Sequence, residues 1–273
     1  MKKLIISSLA LFAIASCSSS DDNASEQSQP IDPTTIVPTK FTEITQDNQT
    51  YVTEFKYDGT KLLQTNDVGT NEKTVYTYNG DLIVKTEDFE GTNIVYTREF
   101  TYTNGRVTTE KITNKHSGGT LVYTKNFQYL SDNHVKYNEY SSSTYNPSTG
   151  AHTDIKSTMY DVYLSNNGNL ISSTATYEGQ TRNYTYSYDG QNNPAKNIKG
   201  FLKINLLLSP EGDTANNNLV TMHSTYSGST NGQTSASSVH TYNSNNFPTK
   251  TVTTYTSSTF PTNAHTYLTE YNK

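Results

Sequence analysis

Phe55-Lys56-Tyr57-Asp58-Gly59-Thr60-Lys61-Leu62 and Tyr76-Thr77-Tyr78-Asn79-Gly80-Asp81-Leu82 share one pattern: an aromatic residue, any residue, a tyrosine, a turn rich in Asp, Asn and Gly, then an aliphatic residue. Residues i and i+2 of a strand share a face, so each aromatic pair points one way while Lys56 or Thr77 points the other. Asp-Gly and Asn-Gly accept the positive φ that primed hairpin turns require, so the chain reverses there. Each unit is therefore a β-hairpin. A lone hairpin cannot bury its aromatic face, and neighbouring copies must pair edge to edge into one antiparallel sheet.

The pattern recurs as Phe100-x-Tyr102 with Asn104-Gly105 and Val107, and as Phe127-x-Tyr129 with Asp132-Asn133 and Val135. Looser copies follow at Tyr163 with Asn167-Gly168 and Leu170, at Tyr186-x-Tyr188 with Asp189-Gly190, and at Tyr242 with Asn245-Asn246 and Phe247. The spacing of these tyrosines drifts, which excludes a strict solenoid. It predicts an all-β, curled antiparallel meander, half-open or barrel-like, that hides its edges by closing on itself. A membrane-spanning barrel would need Leu, Val, Ile and Phe on its lipid-facing side, whereas Thr251 to Thr259 carries polar residues on both faces. The wide interval between Tyr188 and Tyr242 holds the one predicted helix, near residues 194-207. Asn193-Pro194 reads as its N-cap and first position, Ile198, Phe201, Leu202 and Leu208 as its apolar stripe, and Gly200 as a weakness in it.

Composition agrees with extended structure. The chain has 22 Tyr, no Trp and only 16% charged residues. Its net charge is −5, with no Lys/Arg cluster beyond residue 3, so nucleic acid is not an expected partner.

Met1-Lys2-Lys3, the apolar run Leu4 to Ala13 and the close Ile14-Ala15-Ser16-Cys17 read as a lipoprotein signal peptide over residues 1-16, with Cys17 as the lipidation site. Cys17 is the chain's one cysteine, so its acylation leaves no thiol for a disulfide or a cysteine metal site. Residues 17-39 read as a polar, disordered tether and 40-273 as a single all-β domain. Ser18-Ser19-Ser20-Asp21-Asp22 resembles the export tag that sends Bacteroidota lipoproteins to the outer membrane and the cell surface. The expected membrane contact is through the N-terminal lipid anchor alone.

Two family resemblances go further. Tyr57-Asp58-Gly59 and Tyr188-Asp189-Gly190 distantly resemble the tyrosine-aspartate repeats of Rhs-type shell proteins. The period here is irregular, however, and the Gly-Arg-hydrophobe step occurs at Gly105-Arg106-Val107 alone. Across about residues 40 to 273 the chain is more similar to an uncharacterised family of Bacteroidota lipoproteins with a porin-like β fold. The late landmarks carrying that similarity are Tyr188-Asp189-Gly190-Gln191-Asn192-Asn193-Pro194, the apolar segment Ile198 to Leu208, and Asn216-Asn217-Asn218. The resemblance implies a fold and an address and brings no catalytic residues.

No catalytic motif stands out. His116, His134, His152, His223, His240 and His265 lack zinc-ligand spacing and read as solvated strand or loop residues. No G-x-S-x-G elbow is present. Glu87, Asp88, Glu90 and Glu99 are the carboxylates from which a glycosidase pair could be drawn. Asn166 to Asn169 and Asp189 to Asn193 read as turns, with too few carboxylates for calcium. The expectation is a non-enzymatic binding or envelope-interaction module without metal or cofactor, its ligand, a glycan or a protein, held on the concave tyrosine face. The alternatives are a glycan-processing hydrolase or accessory carbohydrate-binding subunit, and a structural spacer.

Overall fold

The computed structural model describes residues 32–116, 119–146, 148–149, 151–208, 215–228 and 231–273. The expected signal peptide, Cys17 and the tether up to residue 31 lie outside the described residues.

The chain forms antiparallel strands in an almost unbroken meander. The first eight are β1 (Pro38–Ile44), β2 (Thr50–Asp58), β3 (Lys61–Asp67), β4 (Glu72–Asn79), β5 (Leu82–Glu90), β6 (Asn93–Thr103), β7 (Arg106–His116) and β8 (Gly119–Asn126). They are followed by β9 (Gln128–Ser131), β10 (His134–Asn146), β11 (Ala151–Leu164), β12 (Leu170–Tyr177) and β13 (Gln180–Tyr188). After a helix, α1 (Phe201–Leu208), come β14 (Leu219–Ser227), β15 (Gly232–Tyr242), β16 (Pro248–Ser257) and β17 (Asn263–Tyr271). Each strand pairs with its sequence neighbour except across the β8–β9 step, and β1 pairs with both β2 and β17, so the sheet curls into a nearly closed barrel. Phe127 separates β8, which pairs with β7, from β9, which pairs with β10. Near-closure leaves little sheet edge to recruit another chain.

Residues of the repeat line the inside. Phe55, Tyr76, Phe100, Phe127, Leu62, Ile83, Val107 and Val135 belong to one buried cluster, with Tyr57, Tyr78, Tyr102 and Tyr129 packed against it. The hairpins turn at this end of the barrel. Asn104 and Gly105 both have positive φ, 50° and 74°, as a two-residue type I′ turn demands. Tyr163 departs from its expected role: β11 turns Tyr160, Val162 and Leu164 inward, and Tyr163 lies exposed on the outer wall, stacked on His134 at 4.2 Å.

A second regularity explains the curl. Beside the anchor tyrosines the register slips: Lys56 faces Gln64 but Tyr57 faces Leu62, and Thr77 faces Lys85 but Tyr78 faces Ile83. One residue of the partner strand is therefore extra, Leu63 and Val84 here, Thr108 beside Tyr102, Val220 beside Tyr188 and Thr249 beside Tyr242. Such bulges bend the strand and increase its twist, and repeated at one level they roll the sheet into a barrel. Tyrosine hydroxyls bond the same level together: Tyr78 Oη accepts from the Leu62 N–H at 3.1 Å, and Tyr102 Oη donates to the Ile83 carbonyl at 2.6 Å.

The predicted helix near 194-207 is displaced. Asn193 Oδ1 accepts from the Ala195 N–H at 2.9 Å, but residues 194–200 form turns and α1 begins at Phe201. Gly200, at φ 70°, makes the step between them. Phe201 and Ile204 enter the core with Ile198, so this segment plugs the barrel end where the hairpins turn. The folded body also begins before residue 40, because Ile36 and Val37 are fully buried and Asn197 Nδ2 bonds the Pro33 and Ile36 carbonyls at 2.7 and 2.8 Å.

Candidate functional site

Four features follow from this architecture: a sealed end, a charged layer inside, an open mouth and a polar outer wall.

The sealed end is tied by asparagines. Asn169 Oδ1 accepts from the N–H groups of Asn216 and Asn217 at 2.9 and 3.3 Å, and Asn217 Oδ1 accepts from Asn167 and Asn169. Asp189 Oδ1 accepts from the Gln191 and Asn218 N–H groups at 2.9 and 3.1 Å, while Tyr242 Oη donates to Oδ2. The two oxygen-rich turns considered for calcium are thus spent on holding the plug. Burial raises the Asp189 carboxyl, but the bonds from Tyr242, Gln191 and Asn218 together outweigh it and hold the group below the usual range. A depressed carboxyl contributes stability that is present above its unfolded pKa and lost as pH falls through the folded one. Asp189→Asn is therefore expected to cost about 2 kcal/mol at pH 7. Thermal unfolding should show the deficit shrinking toward pH 3, and a pH-independent deficit would assign Asp189 a purely steric role.

Beyond the aromatic cluster the inward positions become ionic. Glu110, which is 0% exposed, faces Lys125, 3% exposed, across the β7–β8 pairing. Lys125 Nζ lies 3.4 Å from Glu110 and 2.8 Å from Glu139 on β10, and Arg98 Nε on β6 lies 3.5 Å from Glu110. Arg98 and Lys125 also sit over the rings of Tyr96 and Tyr137 at 4.7 and 5.8 Å. Burial pushes the Glu110 carboxyl up, against the pull of Lys125 and Arg98. On the other side Arg182 bonds the Ser224 and Thr234 hydroxyls, both at 3.1 Å through Nη2, and stacks over Tyr184.

The opposite end carries the β1–β2 and β16–β17 loops, and no plug segment covers it among the described residues. Between them Thr45, Gln46, Asp47, Pro261, Asn263 and His265 line an open cleft of about 610 Å³. His265 Nδ1 lies 2.6 Å from Glu43 Oε1, and its Nε2 lies 3.0 Å from Asn263 Nδ2. Tyr255 meets the imidazole edge-on at 5.7 Å and Tyr267 stacks on it at 6.2 Å. A hydrogen bond from Thr45 holds the Asp47 carboxyl low.

The outer wall is polar. Lys40 pairs with Glu270, Lys85 with Glu87, Lys111 with Glu99, and Lys136 with Asp161. Between them stand Thr and Ser residues, with isolated apolar side chains such as Val122, Met159 and Val239. These described side chains form no continuous outward apolar band of the kind that a membrane-spanning barrel carries.

The carboxylates singled out from the sequence do not converge. Glu87 and Glu99 belong to the outer wall, whereas Asp88 points inward and accepts from Thr74 Oγ1 at 2.8 Å. The inward pair that sequence reasoning passed over, Glu110 and Glu139, is bridged by the Lys125 ammonium, with Arg98 also on Glu110, so both carboxylates are held in an ion-pair network. The histidines are less solvated than expected: His134 bonds Asp161, His240 bonds Thr251 and the Leu219 carbonyl, and His265 bonds Glu43. His223 lies exposed, and the side chains of His116 and His152 lie outside the described residues.

No protein-family model and no curated protein matches this chain. Among the solved structures that match, two share its fold over most of the chain. A porin-like protein from Bacteroides uniformis aligns at a TM-score of 0.50 with 12% identity, over 88% of this chain and 99% of that one. A porin-like protein from Bacteroides vulgatus aligns at 0.51 with 14% identity, over 86% and 99%. The porin-like part of the expectation therefore has direct support in the fold, at identities that carry no residue roles across.

Proposed function

We propose that this protein is a water-soluble barrel, tethered to the outer membrane and the cell surface through lipidated Cys17, that binds a ligand at its open end without transforming it. The observation that carries the reading is the distribution of polarity. Ion pairs such as Lys111–Glu99 and Lys40–Glu270 on the outer wall are costly at the depth of a bilayer core, so they favour an aqueous surround. Polarity also separates the two ends. The chain enters at the sealed end, where Pro33 and Ile36 bond Asn197, so a tether leading back from residue 32 leaves the mouth facing away from the membrane. The spacer alternative draws on the packed, plugged half, and the cleft at the other end favours binding.

The test separates tether from insertion. Wild-type protein is expected to fractionate with outer membranes, to incorporate labelled fatty acid, and to be cut by protease added to intact cells. Cys17→Ser should appear folded in the soluble fraction without detergent. A Cys17→Ser protein that still needs detergent for extraction would overturn the reading in favour of a bilayer-spanning barrel.

A further inference from the structure

We infer that the mouth cleft bounded by residues 45–47 and 261–265, with Phe260 at its rim, is a binding site for neutral sugar rings. This rests on the binding-module reading above and names its ligand class. Phe260 is 74% exposed at a loop tip, and nothing in the barrel core requires an aromatic ring there. A lone exposed phenyl beside a polar cleft offers a flat apolar face, and the C–H face of a pyranose is a natural partner for such a surface. The cleft lining supplies complementary groups for hydroxyls: the Gln46 amide, the Asp47 carboxylate and the Thr262 hydroxyl. Gln46 Oε1 already accepts from the Ala264 N–H at 3.3 Å, which ties the two loops and leaves its amide nitrogen as a donor. Asn263 has its amide nitrogen on His265 Nε2 and its Oδ1 buried, so it supports the floor rather than facing the ligand.

Charge narrows the class. No lysine or arginine is among the lining residues, and Asp47 and Glu43 stand at the cleft, so a uronic acid, phosphate or sulfate would meet like charge. The aromatic trio of His265, Tyr255 and Tyr267 fixes the floor, because His265 is held on both nitrogens and packed on both rings. A preformed floor keeps the ordering cost of binding low.

The experiment is isothermal titration of the full-length lipoprotein in detergent with maltohexaose, cellohexaose, chitohexaose and mannohexaose, and with a galacturonate oligomer as the anionic control. At least one neutral hexasaccharide is expected to bind, and the galacturonate oligomer more weakly or not at all. Phe260→Ala should weaken binding about tenfold or more, the consequence of losing one aromatic contact, with the melting temperature unchanged. Asp47→Ala should weaken it as well. Failure of all four neutral sugars, or binding that neither variant alters, overturns the sugar site. A melting shift with peptides or peptidoglycan fragments in the same preparation would then leave the binding-module reading standing. No shift with any probe would bring both down.

Discussion

Lys125→Met is expected to lower stability by about 3 to 5 kcal/mol, the usual consequence of stranding a buried charge. Lys125 is 3% exposed and stands between Glu110 and Glu139, while Glu110 is 0% exposed and faces no other ammonium at this distance. Arg98 lies 3.5 Å away on the far side and cannot cover both oxygens. Methionine keeps the length and apolar stem, so the loss isolates the charge from the packing over Tyr137. The sign of the pH dependence distinguishes this account from a packing defect. Burial already raises the Glu110 carboxyl, and removing Lys125 raises it further. A raised carboxyl contributes stability that is present below the unfolded pKa and lost as pH rises through the folded one. The deficit of Lys125→Met relative to wild type should therefore be smaller at pH 5 than at pH 7.5. Replacing Glu110 by Gln in the same chain should return most of the loss at pH 7.5. Melting curves of the two variants at both values decide it, and equal deficits at the two pH values would mean that Glu110 carries no charge in the fold.

The same residues show where sequence reasoning reached and where it stopped. Hairpins were legible because Tyr57-Asp58-Gly59 and Phe100-x-Tyr102 combine period-2 aromatics with turn residues, two independent constraints that agree. The bulges were not. Their signal is nevertheless present as doublets, Leu62-Leu63, Ile83-Val84, Leu170-Ile171 and Leu219-Val220, which break the alternation just after each turn. One member faces the core and the other is the extra residue, so Leu62 is fully buried while Ile171 lies exposed. Counting back from Phe127 by two also puts Lys125 on the inner face, against the expectation that a lysine in a strand faces water. The cleft had no linear signature at all. Its two sides lie more than two hundred residues apart and meet because β1 pairs with β17, a closure that hairpin rhythm alone leaves open.

The plug in turn depends on Gly200. Its backbone is left-handed, φ 70°, and a Cβ there would stand 2.7 Å from the Asp81 carbonyl oxygen and 3.0 Å from the Ile83 nitrogen. Both are backbone atoms of the β4–β5 hairpin and cannot rotate away. Gly200→Ala therefore combines the cost of positive φ in a residue with a side chain and a steric overlap, together roughly 3 to 5 kcal/mol. The strain is relieved by moving the 193–208 segment outward, which draws Ile198, Phe201 and Ile204 from the core. It also breaks the bonds that Tyr78 Oη makes to the Lys199 carbonyl and Lys199 Nζ makes to Asp81. Two readouts follow. The melting temperature should fall by roughly 10 °C for a chain of this size. Amide exchange should quicken at the Thr60–Lys199 pairing and across β5 before it quickens in β15 or β16, since those strands meet the plug away from Gly200, through Asn192 bonded to the Asn245 and Asn246 carbonyls and Tyr242 bonded to Asp189. Uniform acceleration over the whole barrel would mean that plug and barrel unfold as one unit. An unchanged melting temperature would mean that the plug carries none of the stability assigned to it. The neighbouring change Phe201→Ala leaves the turn unstrained and opens a cavity against Tyr76, 6.3 Å away ring to ring, at about 3 to 5 kcal/mol. If both variants loosen the same hairpins, the seal acts through packing at Phe201, and Gly200 serves to bring the chain there.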